Sequence, residues 1–188
     1  MSILAQGWVE FKGEFGWTTL IDAAPLMDQN YDMFGSLFGV RNHAHFRPIA
    51  PERGLPDDGS EPIKRDFALS SEHSFSPTWI AWQEIRAIDW EEETEVEPYR
   101  VRVSGTTKDG RRYEHESTSR RAWLAQKLSL SEEALDAAWE TSQSWLIDGE
   151  EYEAIKSIKR KDALTRGWQT LFKFMETLVH DGRNEAVV

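Results

Sequence analysis

Tyr99-Arg100-Val101-Arg102-Val103, Lys108-Asp109-Gly110 and Arg112-Tyr113-Glu114-His115 make up the stretch on which the fold turns. Apolar and charged residues alternate over 99–103, which is the period of a strand with one face on a core. Asp109-Gly110 is turn chemistry that returns the chain through 112–115 as an antiparallel partner. A β-hairpin is expected here, and an antiparallel sheet with it.

Working outward, Gly7-Trp8-Val9-Glu10-Phe11 has the aromatic and β-branched content of a strand, and Gly13 to Gly16 reads as a turn into a second strand, Trp17 to Ile21. Asn30 can cap a helix from Tyr31 to about Val40 with Tyr31, Phe34, Leu37 and Phe38 on one face. Gly35 and Gly39 weaken such a helix by roughly 1 kcal/mol each relative to Ala, so they point to close approach of another backbone. Pro48, Pro51, Pro56 and Pro62, with Pro77 at the end, predict a long irregular loop over 41–76, followed by a strand at Thr78 to Trp82 and a short helix from Gln83 to Trp90. Ser76 as a cap with Pro77 at the first helical position equally supports one continuous helix there. Ser131 followed by Glu132 and Glu133 starts a helix that runs to about Leu146. Asp162 begins another, with Leu164, Trp168, Leu171, Phe172, Met175 and Leu178 at spacings of three and four, ending near Gly182. Glu185 to Val188 is expected to add a last strand. The expected fold class is α+β, one domain over 1–188 in which a mainly antiparallel sheet, made of the two hairpins and the Trp79 segment, packs against three or more helices.

Composition narrows the function classes. The 188 residues are 39% hydrophobic with nine Trp and nine Phe, enough large apolar side chains for a core without a staple. Most of the Trp fall at apolar positions of expected elements and are read as core, whereas Trp8, Trp17 and Trp90 could line a stacking surface. Cysteine is absent, which removes disulfides, thiolate metal sites and Cys nucleophiles and makes a cytoplasmic, reducing setting the expectation. No stretch approaches the roughly 20 apolar residues that span a bilayer, so no membrane partner is expected. A net charge of −11 repels the phosphates of a nucleic acid polymer. The sign is uneven, however: Glu91, Glu92, Glu93, Glu95 and Glu97 form one acidic run, followed by Arg100, Arg102, Arg111, Arg112, Arg120 and Arg121. A local anion site is compatible with that pattern.

The 41–76 segment holds the candidate site residues. Arg41-Asn42, Arg47 and Arg53-Gly54 bring planar guanidinium forks, suited to phosphate or carboxylate, beside a glycine that lets backbone N–H groups approach the same anion. Their structural alternative is pairing with Glu52, Asp57, Asp58 and Glu61 to hold the loop down. His73-Ser74-Phe75-Ser76 joins an imidazole to hydroxyls where anions bind readily, and a Ser-His hydrolase is the sharper version of the same segment. His43-Ala44-His45 puts two imidazoles on one side if the segment is extended, and with Asp57 or Asp58 they could seat a divalent metal. No G-x-S-x-G elbow, P-loop or G-x-G-x-x-G fingerprint occurs, and no cofactor is expected.

The order Asn30-Tyr31-Asp32-Met33-Phe34-Gly35-Ser36-Leu37-Phe38-Gly39-Val40-Arg41-Asn42, then Arg53-Gly54-Leu55-Pro56-Asp57, then His73-Ser74-Phe75-Ser76 and Trp79 resembles a family of small uncharacterised proteins of bacteriophages, prophages and actinobacteria. The resemblance covers residues 8–90 and, more loosely, the C-terminal helix and final strand. It carries no catalytic residues with it. It implies a context: small phage accessory proteins often interfere with host defence, and some sequester nucleotide second messengers in oligomeric pockets. The function expected from residues and resemblance together is non-enzymatic binding of a small anionic, nucleotide-like ligand, by a homo-oligomer since exposed aromatic surface marks interfaces. A metal-assisted or Ser-His hydrolase and a protein–protein interaction module are the alternatives.

Overall fold

The period-2 segments of the sequence do form strands, but they divide between two sheets. In the computed structural model, which describes residues 5–28, 30–70, 76–118, 120–141, 144–180 and 185–187, the chain begins with β1 (Trp8–Gly13), β2 (Gly16–Asp22), α1 (Tyr31–Phe38), α2 (Glu61–Ser70) and α3 (Trp82–Arg86). It continues through β3 (Glu93–Glu95), β4 (Arg100–Thr106), β5 (Arg112–Thr118), α4 (Arg121–Lys127) and α5 (Glu132–Thr141). It closes with β6 (Ser144–Ile147), β7 (Glu150–Ala154), β8 (Ser157–Lys159), a 3-10 turn at Arg160–Ala163, α6 (Arg166–His180) and β9 (Glu185–Val187). The class is α+β, as the sequence predicts. Two compact units are distinguished, 1–93 with 159–188, and 94–158, and each is described by itself. No helix among the described residues is long and apolar enough to cross a membrane.

In the first unit the sheet order is β2-β1-β9, all antiparallel, so the expected terminal strand pairs with β1. The core gathers Val9 of β1, Met33 and Leu37 of α1, Ile85 of α3 and the α6 face of Trp168, Leu171, Phe172 and Met175. Asn30 caps α1 by accepting the Met33 N–H at 3.2 Å, and its amide donates to the Ala163 carbonyl at 2.7 Å. Gly39 ends the helix at φ +76°, a conformation that glycine adopts without a Cβ penalty. Gly35 meets the expectation of close approach, since a Cβ there would lie 2.8 Å from Asn42 Cα.

Two expectations for this region are corrected. The 41–76 segment is not irregular throughout, because α2 occupies 61–70. Pro62 stands in the first helical turn, where a missing N–H breaks no helical bond, so it starts a helix rather than breaking one. The Ser60 N–H donates to the buried Glu10 carboxylate at 3.2 Å, which ties the start of α2 to β1. No strand forms over 78–82; a single bridge residue at Ala81 precedes α3. Glu84 explains this, because its carboxylate reaches back to the Ala81 N–H at 3.0 Å and opens the helix at Trp82. The Trp79 segment therefore contributes no strand to a sheet.

In the second unit the order is β5-β4-β7-β6. The expected hairpin is β4–β5, in register from Arg100↔Thr118 to Thr106↔Arg112. Val101, Val103 and Tyr152 line one sheet face, against Leu124 and Ala125 of α4 and Leu135 and Trp139 of α5. The helix expected to reach Leu146 stops at Thr141, and Ser144–Ile147 is strand β6 instead. Asp148 and Gly149, at φ +51° and +84°, turn the chain straight back into β7, and a turn with both φ positive matches the twist of a hairpin. The two sequence hairpins thus lie in different sheets rather than in the single sheet expected.

Candidate functional site

Asn42 shapes the segment that carries most of the candidate residues. Its amide donates to the Phe46 carbonyl at 2.6 Å and its oxygen accepts the Phe46 N–H at 3.0 Å, closing a five-residue loop over 42–46. The His43 N–H donates to the Arg41 carbonyl and the His45 N–H to the Asn42 carbonyl, so the backbone turns, and His45 stands at φ +56°. The extended geometry that would align His43 and His45 is therefore absent. Both imidazoles are exposed, and among the described residues no group of three or more His, Asp or Glu is placed to hold a metal ion.

Exposure alternates along this loop. Arg41, His43, His45 and Arg47 are exposed, whereas Ala44 and Phe46 are buried and Asn42 is half-buried. The buried members are firmly held. Arg160, fully buried, donates to the carbonyls of Ser36 at 2.6 Å and Arg47 at 3.0 Å and to the Glu92 carboxylate at 2.5 Å, with its guanidinium 5.0 Å from the Phe46 ring centre. The N–H groups of Ile49 and Ala50 both donate to the Leu37 carbonyl. Arg41 lies 4.9 Å over the Tyr31 ring, which fixes the plane of its fork. Among the described residues the Arg47 guanidinium has no hydrogen-bond or ion-pair partner.

Arg53 and Gly54 behave differently. The Arg53 fork is bidentate to Glu84, at 2.8 and 2.6 Å, and donates further to the carbonyls of Ile49 at 3.2 Å and Trp79 at 3.4 Å, while stacking 4.9 Å over the Trp79 ring. The Gly54 N–H donates to the Pro77 carbonyl at 3.0 Å. The donors that the sequence offered to an anion are thus engaged within the protein, and the acid that engages Arg53 is Glu84 rather than the nearby Glu52, Asp57, Asp58 or Glu61. The hydrogen bond from Arg53 holds the Glu84 carboxyl below its usual range, and the bond to Glu84 raises Arg53. A depressed carboxyl pKa means that this stabilisation is present above the unfolded value near 4.5 and is lost as pH falls through the folded one. Arg53→Lys, which keeps charge and loses the fork, is expected to lower stability by about 1–2 kcal/mol in thermal melts at neutral pH, a difference that shrinks as the buffer is acidified through the lowered Glu84 value. A melt unaffected by the change, or a deficit that persists undiminished in acid, would show the pair to be dispensable.

Of the remaining candidates, His73 and Ser74 lie outside the described residues. Ser76 is exposed at φ +55° and caps no helix. Asp57 and Asp58 are exposed, and Asp58 pairs with Lys12 at 3.3 Å. The residues that sequence reading missed are Glu84, Glu92 and Arg160. Arg160 sits in Lys159-Arg160-Lys161-Asp162, which reads locally as a solvated charge cluster, and Glu84 carries no capping-box signature because Ala81, not Ser or Thr, stands three residues before it.

The second unit holds two polar networks and a shallow depression. Tyr99 donates to Asp136, which also takes the Arg121 guanidinium, and these bonds, Arg121's first, keep the Asp136 carboxyl below its usual range. Tyr113 and Tyr152 both donate to Glu150, and burial, followed by that bond, pushes Tyr152 up to about 12. The depression, about 680 Å³, is lined by Tyr99, Trp139, Glu95, Asp136, Glu140 and Lys156 among others. Trp139 is stacked on Trp145 at 5.9 Å and meets Tyr99, which also lines the depression, at 5.3 Å, so its ring is already packed against protein rings. Comparison with family models, curated proteins and solved structures returned no match for this chain.

Proposed function

We propose that the protein is a non-enzymatic binder of a small anionic, nucleotide-like ligand, held on the outer side of the 41–47 loop. The observation that carries this reading is Arg47: an exposed guanidinium, without a partner among the described residues, on a backbone pinned from beneath by Arg160. In a chain of net charge −11 such a group is not explained by overall solubility. Arg41, His43 and His45 are exposed on the same loop, and a rigid loop loses little conformational freedom when it binds. Arg53 and Gly54 support the site from within rather than contacting the ligand. In the context implied by the resemblance to phage proteins, binding without turnover would serve to sequester a nucleotide signal.

Calorimetric titration with cyclic mono- and dinucleotides, and with inorganic phosphate, tests the reading. Arg47→Ala is expected to weaken binding about tenfold or more, the range for a charge-assisted contact, while leaving the melting temperature of the free protein within about 1 °C. Affinity should fall with added salt. Ligand recovered intact after heat denaturation of the protein supports binding; recovery of a cleaved product would replace this reading with a hydrolase.

A further inference from the structure

Each open sheet leaves unpaired backbone groups at its edges, and proteins usually protect them with charge, proline, a bulge or shortness. Strand β5 carries Arg112, Glu114, His115 and Glu116. Strand β2 is interrupted by a register shift opposite Val9/Glu10 that leaves Leu20 unmatched, and it ends in Asp22. Strand β6 is Ser144-Trp145-Leu146-Ile147, with no charge and no proline, and it pairs with β7 in unbroken register. Shortness is its one protection. Its alternation turns Trp145 toward the core, where it stacks on Trp139 at 5.9 Å and 15°, and leaves Leu146 outside at 78% exposure. Among the described residues no other element pairs with its free edge.

We infer that this edge is the interface between two copies of the chain, joined β6 to β6 in antiparallel fashion to continue the sheet. An antiparallel ladder is self-complementary, as a two-fold interface requires. Among the registers that keep both core faces on one side, the one centred on Leu146 places it opposite its own copy and Trp145 opposite Ile147, so the facing pairs are apolar. Charge leaves this edge open to a second copy where it closes the β5 edge. Asp148 lies beyond the end of β6 in its turn, and the carboxylates on the outer face of the adjoining strand are Glu151 and Glu153, which pair with Leu146 and Ser144. Across the joined sheet they would stand three strand spacings from their counterparts, about 14 Å. That exceeds the screening length of about 8 Å at physiological salt, so two chains of net charge −11 can meet here without opposing acids. The β5 edge would instead bring glutamates face to face.

The chain has no cysteine, so a single introduced one reports on a single contact. Under mild oxidation Leu146→Cys is expected to form a disulfide-linked dimer at least about tenfold faster than Glu114→Cys on the β5 edge, since directly opposed strand residues stand about 4.5–5.5 Å apart, within disulfide reach. In sedimentation velocity without oxidant, the unmodified chain is expected to show a concentration-dependent monomer–dimer equilibrium. Leu146→Lys should raise its dissociation constant about tenfold or more with an unchanged melting temperature. A strictly monomeric chain up to several hundred micromolar, or equal crosslinking of the two cysteine variants, would overturn the inference. So would a dimer that Leu146→Lys leaves intact.

Discussion

Arg160→Ala is expected to lower stability by about 3–5 kcal/mol, roughly 10 °C in melting temperature, the largest effect of any single side chain considered. The Arg160 side chain is fully buried and joins three separate segments through Ser36, Arg47 and Glu92. Its removal leaves two carbonyls without a donor, strands a carboxylate that is only 34% exposed, and empties the space against the Phe46 ring. Among the described residues Arg160 Nε has no partner, so the arrangement carries an unmet donor and the clamp is retained at some cost in desolvation. Arg160→Met separates packing from polarity: it restores most of the volume and none of the bonds, and about 2–3 kcal/mol of the loss should remain. Urea denaturation followed by tryptophan fluorescence measures both. A loss below about 1 kcal/mol for Arg160→Ala would mean that the loop is held by other contacts. Because the clamp fixes the Arg47 backbone, the variant should also weaken the proposed ligand, even at temperatures where it remains folded.

Gly167→Ala should destabilise by about 3 kcal/mol, against the usual sign for glycine in a helix. Within a helix the exchange ordinarily gains about 1 kcal/mol from the reduced freedom of the unfolded chain. Gly167 lies in the first turn of α6, and a Cβ there would run into the Leu26 carbonyl oxygen, with Leu26 C at 3.2 Å. The obstacle is backbone, which cannot rotate aside as a side-chain tip can, so the helix must move off the segment before α1. Overpacking of this sort costs about 1–3 kcal/mol, and the rigidity of a main-chain obstacle places it at the upper end. Trp168, the next residue, is fully buried and meets Phe34 edge-on at 5.5 Å, so a shift of α6 also disturbs the centre of the core. Thermal unfolding of Gly167→Ala beside Ala122→Gly, an exposed position of α4, gives the contrast. A stabilised Gly167→Ala variant would refute the close approach.

Much of the local structure follows from residues close in sequence. Alternation with Asp109-Gly110 defines β4–β5, Gly13 to Gly16 defines β1–β2, Asn30 starts α1, and the three-four spacing from Trp168 to Leu178 defines the buried face of α6. Gly35 even announced its neighbour, because an internal helical glycine has few other reasons to be there. These features are legible since period, turn chemistry and capping act over a few residues. What tertiary structure alone decided has a different range. Strand order separates the two hairpins into different sheets, since nothing in a hairpin's own residues says which third strand completes it. Ser144–Ile147 is a strand only with β7 beside it, and the helical pattern that precedes it masks the Asp148-Gly149 turn that joins the two. Arg160 reads as a solvated cation until Ser36, Arg47 and Glu92 surround it, and Arg53 reads as an anion contact until Glu84, 31 residues on, takes both arms of its fork. A charge on a flexible stem has no local preference for one partner over another. Its role is set by which opposite charges and carbonyls the folded chain brings within 3 to 4 Å, where desolvation makes the pairing specific.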